Sequence, residues 1–87
     1  MQYEPIEVYK HWIQKEIDLE TNDQINIVVL TEGKEAVIES LDQSFEPFPI
    51  HYLEATFIPA TIKGFRIRNI DKDHNIALVQ IYKEKEK

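Results

Sequence analysis

The first quarter of the chain carries its apolar residues at helical spacing. At 100° per residue, Ile6, Val8, Tyr9, Trp12, Ile13, Ile17 and Leu19 cover about half of a helical cylinder, with Lys10, His11, Gln14, Lys15 and Asp18 opposite. Pro5 suits a first helical position, and Glu7 adds favourable charge to a first turn. The spacing predicts a helix over about residues 5–20, closed by the polar run Thr21-Asn22-Asp23. So broad an apolar arc implies burial against a sheet, or against a sheet and another subunit.

From Ile25 onward the rhythm is that of strands. Residues 25–31 are apolar on both faces, as in a central strand. Thr31-Glu32-Gly33-Lys34 signals a tight turn, and 35–41 follows as a return strand. Residues 42–49 contain Pro47 and Pro49 and read as a loop. Further strands are expected over 51–58, over 61–70 with a bulge or bend at Gly64, and over 76–82. Asp71-Lys72-Asp73-His74-Asn75 reads as a hairpin turn, and 83–87 as a frayed charged tail. The expected fold class is α+β, mainly β: one domain over 1–87, with the helix packed on a strongly bent antiparallel sheet or small open barrel of about five strands.

Composition narrows the function classes. The chain has 87 residues, 43% hydrophobic and 30% charged, enough apolar surface for one folded domain. No apolar run reaches the roughly 18 residues of a membrane span, and no leader segment opens the chain, so a soluble cytoplasmic protein is the expectation. Cysteine is absent, which removes disulfides and thiolate chemistry. The formal charge of −6 opposes non-specific binding to polyanions. Residues 61–87 nevertheless hold seven of the ten Lys and Arg residues, so any nucleic-acid surface belongs there.

Candidate chemistry is sparse. The calcium-like opening at Asp71 lacks the loop glycine and the later glutamate, since Ile76 and Tyr82 stand there. His11, His51 and His74 lie far apart, and a strand would point His51 and Glu54 to opposite faces. Ser40 and Ser44 sit in no nucleophile motif, and Gly33 and Gly64 form no phosphate loop. Glu16 falls inside the helical apolar arc, where burial would raise its pKa, or where it would pair with a basic residue. No catalytic residue, metal site or cofactor is expected, and the chain reads as a non-enzyme.

Two surfaces stand out. Arg66 and Arg68 alternate onto one face of a strand, with Lys63 nearby. They read either as a clamp for anionic groups or as cross-strand partners of acidic residues. Phe45 and Phe48, on a proline-stiffened loop, read either as interface anchors or as plugs of the open side of the sheet, and Tyr52 follows them. The expected function is a non-catalytic protein–protein interaction module, a regulator, inhibitor or assembly subunit, with Phe45, Phe48, Tyr52, Arg66 and Arg68 at the partner surface and self-association expected.

The stretch Gly33 to Phe45 resembles in part the first motif of the Sm-like proteins, through the turn glycine Gly33, the pair Leu41-Asp42 and the later Phe45. That motif's second glycine is missing here, and the spacing from Gly33 to Asp42 is short. The resemblance implies a helix followed by five strands. The alternative function is accordingly an Sm-like or SH3-like nucleic-acid-binding barrel using Lys63, Arg66 and Arg68.

Overall fold

The computed structural model describes residues 5–83. It contains eight strands: β1 Ile6–Ile13, β2 Glu16–Glu20, β3 Asn26–Glu32, β4 Glu35–Ser40, β5 Phe48–His51, β6 Ala55–Ile58, β7 Gly64–Asn69 and β8 Ile76–Lys83. They form two antiparallel four-stranded sheets, in the orders β1-β8-β3-β6 and β2-β7-β4-β5. Only β4 and β5 are both consecutive in the chain and neighbours in a sheet. Every other described connection passes from one sheet to the other, which makes the sandwich a jelly roll.

The core lies between the sheets. Ile13, Val28, Leu30, Ile58, Ile76 and Leu78 of the first sheet meet Leu19, Ala36, Ile38, Ile50, Phe65 and Ile67 of the second, all of them buried. Alternation explains the choice of face: Val28 and Leu30 point inward from β3 while Ile27 and Val29 point outward. Gly33, between β3 and β4, has φ of 105°, and a Cβ there would stand 2.6 Å from Ile76 Cγ2, so both the turn and its packing require glycine.

The expected N-terminal helix is overturned, and with it the α+β class: residues 6–20 form β1 and β2, and no helix occurs among the described residues. The apolar positions of this segment are rich in β-branched and aromatic side chains, which favour strands. Even-numbered Ile6, Val8 and Trp12 face outward, and Ile13, Ile17 and Leu19 face inward on two strands of different sheets. An apolar outward face added to an apolar inward one imitates a wide helical arc. The bent single sheet, the open barrel and the Sm-like topology fall with the helix.

Several strand bounds also change. The expected strand 51–58 divides into β5 and β6 because Leu53 takes φ of 60° and carries the chain between sheets. Phe48 and Pro49, expected in a loop, belong to β5, an edge strand that tolerates proline. Gly64 begins β7 instead of interrupting it, and the one register shift between described strands lies at Leu30/Glu32. The Asp71–Asn75 turn exists, with the Asp71 carboxylate accepting from the backbone N–H of Asp73 and His74, but it joins the two sheets and closes no hairpin. Lys83 ends β8, and the rest of the expected tail lies outside the described residues.

Candidate functional site

The outer faces of the two sheets differ in chemistry. On the second sheet, Glu16 and Asp18 of β2, Arg66 and Arg68 of β7 and Glu39 of β4 point outward in cross-strand register. Arg66 Nε lies 2.7 Å from Asp18 and 2.8 Å from Glu16, and Arg68 Nη2 lies 2.6 Å from Glu39. The hydrogen bond from Arg66 holds the Asp18 carboxyl below the usual carboxylate range. Lys63 meets Asp23 at 2.5 Å. The basic strand is thus laced to acidic neighbours. Glu16, placed on a helix face by its spacing, is an exposed member of this lattice.

The 41–47 loop overhangs the same sheet and bounds a groove of about 640 Å³ lined by Glu39, Ser40, Ser44, Phe45, Arg66 and Arg68 among others. The Asp42 carboxylate accepts from Ser40 Oγ and from the backbone N–H and hydroxyl of Ser44. Those bonds, Ser40's first, lower its pKa. Phe45 and Phe48 meet with tilted rings, 5.6 Å between centroids and 54° between planes, and pack, half-buried, against the core. The two surfaces separated in the sequence therefore converge at this groove. Tyr52, just past the other end of β5, stands apart from them and is exposed.

At one end of the sandwich a polar chain enters the interior. Gln80, only 4% exposed, accepts a hydrogen bond on its Oε1 from His11 Nε2 at 2.9 Å, and its amide nitrogen donates to Asn26 Oδ1 at 2.7 Å and to the Glu20 carbonyl. Asn26 in turn donates to the Thr21 carbonyl. Tyr9 stacks on Tyr82 at 5.8 Å above this chain, and bonds with Tyr82 and then Glu7 push its hydroxyl up to about 12. His51 lies 2.8 Å from Glu35 and 3.5 Å from Glu54, and His74 sits 3.1 Å from Asp71. Among the described residues no three His, Asp or Glu side chains are grouped to hold a metal ion.

The outer face of the first sheet is apolar. Val8, Ile81, Ile27 and Phe57 stand side by side across all four strands, and Lys10, Val79, Val29 and Ala55 form the next row. Ile6 and Trp12 extend the face along β1, and alternation adds Ile25 just before β3. Ile6, Val8, Trp12, Ile25 and Phe57 are each 60–67% exposed. Lys10 holds its ammonium 4.7 Å from the centre of the Trp12 ring. Sequence reasoning missed this surface as a site, although its signal was present: residues 25–31 are apolar at odd and even positions alike.

No protein-family model matches the chain. No curated protein matches it either. Solved structures do share its fold. A candidate mannosephosphate isomerase from Archaeoglobus fulgidus superimposes with a TM-score of 0.79 over 98% of this chain, at 16% identity. A protein from Bacillus halodurans gives 0.72 over 94% at 17% identity, and one from Neisseria meningitidis gives 0.70 over 97% at 10% identity. The chain spans 25%, 64% and 80% of those three proteins respectively. At such identities the likeness is one of fold alone, the two-sheet jelly roll described above. No helix among the described residues is long and apolar enough to cross a membrane.

Proposed function

We propose that this domain acts without catalysis, as a protein–protein interaction module that docks through the outer face of the β1-β8-β3-β6 sheet. The observation that carries the reading is the row Val8–Ile81–Ile27–Phe57. A sandwich strand ordinarily alternates apolar inward with polar outward residues, because its outer face meets water. Here four adjacent strands break that rule at the same level. Contiguous apolar surface of this kind marks contact with another macromolecule, whereas scattered exposed apolar residues need no explanation. The charged second sheet, with its arginines already paired, supplies the solvated face.

A photo-crosslinking side chain placed at Val8 or Phe57 is expected to give a covalent protein adduct in the native cells. The same group at Asp18, on the charged face, is expected to give none. Equal labelling from both faces, or none from the apolar one, refutes the reading.

A further inference from the structure

We propose that the occupant of the apolar face is a second copy of this chain, in an isologous two-fold dimer with the two β1-β8-β3-β6 sheets face to face. The inference rests on the docking role just assigned to that face and names its partner. Area is the first argument. The exposed parts of Ile6, Val8, Trp12, Ile25 and Phe57 amount to roughly 600 Å². The half-buried Ile27, Val29, Val79 and Ile81 bring the face close to the roughly 800 Å² per partner of a standard stable interface.

Charge is the second argument. The chain carries sixteen acidic residues and a formal charge of −6, so two copies repel over most approaches. The rows Val8–Ile81–Ile27–Phe57 and Lys10–Val79–Val29–Ala55 contain no carboxylate. Copies meeting there bring no acid against acid, Lys10 being the one charge in the two rows, and a face without carboxylates can complement itself as an isologous contact requires.

Shape is the third. A two-fold axis running along the strands lays β6 of one copy over β1 of the other. Phe57 then faces the smaller Val8, Ile27 faces Ile81, and Ala55 leaves room for Lys10 and its aliphatic stem. Large residues at one edge meet small ones at the other. Trp12 lies along β1 toward the rim, and it is the single tryptophan of the chain.

Light scattering coupled to gel filtration of the purified protein, from micromolar to several hundred micromolar, tests the proposal. The expected result is twice the chain mass, with association weakened by at least about 100-fold in V8K/F57K, whose strand spectrum stays that of the wild type. Both positions are exposed, so the fold tolerates lysine there. A measurement without variants runs in parallel: Trp12 is expected to be shielded from acrylamide at dimer concentrations and quenched on dilution. A wild-type monomer with Trp12 freely quenched at every concentration overturns self-pairing. If the crosslinks from Val8 and Phe57 still form in cells, the docking role survives that outcome and another partner takes the face. A dimer that V8K/F57K leaves intact, with Trp12 still quenched, also overturns self-pairing through this face, because the copies then meet elsewhere, and the crosslinks again decide the docking role.

Discussion

At the residue scale, Gln80 and Arg66 show how different a buried and an exposed polar contact are. Gln80 holds His11, Asn26 and the Glu20 carbonyl together inside the sandwich, where no water replaces a lost partner. Gln80→Leu keeps the bulk and strips the hydrogen bonds, so urea unfolding is expected to show a loss of about 1–3 kcal/mol. An unchanged midpoint would mean that water enters the site. Arg66 works at the surface, where its effect is read better from titration than from stability. The folded-state pKa of Asp18 is lowered chiefly by the Arg66 hydrogen bond, that of Asp42 by the hydroxyls of Ser40 and Ser44, and that of Asp71 by the backbone N–H of Asp73 ahead of His74. Each therefore contributes stability that is fully present above the unfolded value near pH 4 and is lost as pH falls through the folded value. In Arg66→Gln the Asp18 carboxyl resonance should titrate at higher pH while that of Asp71 stays put. If Asp18 does not move, the ion pair is not formed in solution.

At the scale of elements, the connections carry the information that makes this fold a jelly roll. Asn69, at the end of β7, donates from its backbone to the Lys15 carbonyl at 2.8 Å and from its amide to the carbonyls of Gln14 at 2.9 Å and His74 at 2.8 Å, and its Oδ1 accepts from the Asp71 N–H. One side chain thereby ties the β1–β2 crossing to the β7–β8 crossing. Asn69→Ala is expected to cost about 1–3 kcal/mol in chemical denaturation, and Asn69→Asp, which lacks the donors, should not rescue it. Rescue by aspartate would show that only the Asp71 turn matters. Much of the strand content was legible, because Ile25 to Leu30, Glu35 to Leu41 and Ile76 to Tyr82 carry β-branched runs between polar turns. The cross-strand pairing of Arg66 and Arg68 was legible too, as one of two readings of their alternation. What was hidden is which sheet each strand joins. A turn such as Glu32-Gly33-Lys34 has the same local chemistry whether it closes a hairpin or crosses a sandwich. Val8 and Trp12 gave no sign of facing outward, since an apolar residue reads as core until its neighbours across the strands are known.

At the scale of the whole molecule, the topology makes folding depend on the last strands of the chain. In the first sheet β8 lies between β1 and β3, and in the second β7 lies between β2 and β4. Until both are present, β1 and β2 have no strand to pair with, and the two inner faces cannot close on Phe65, Ile67, Ile76 and Leu78. Nearly all pairings join residues distant in sequence, so loop-closure entropy is spent before contacts return it, and refolding of the intact chain is expected on the millisecond-to-second scale. A chain ending at residue 75 loses β8, and with it the only partner of β1 among the described strands and one of the two described partners of β3. Such a chain is expected to show a coil-like far-ultraviolet spectrum and no cooperative thermal transition. Adding a peptide spanning residues 74–87 should restore the strand signal, since that segment brings Ile76, Leu78 and Gln80 back to the core. A cooperative transition in the shortened chain by itself would show that β3, β6 and the second sheet hold a core without β8, and that the inserted strand is an addition to the fold instead of its keystone.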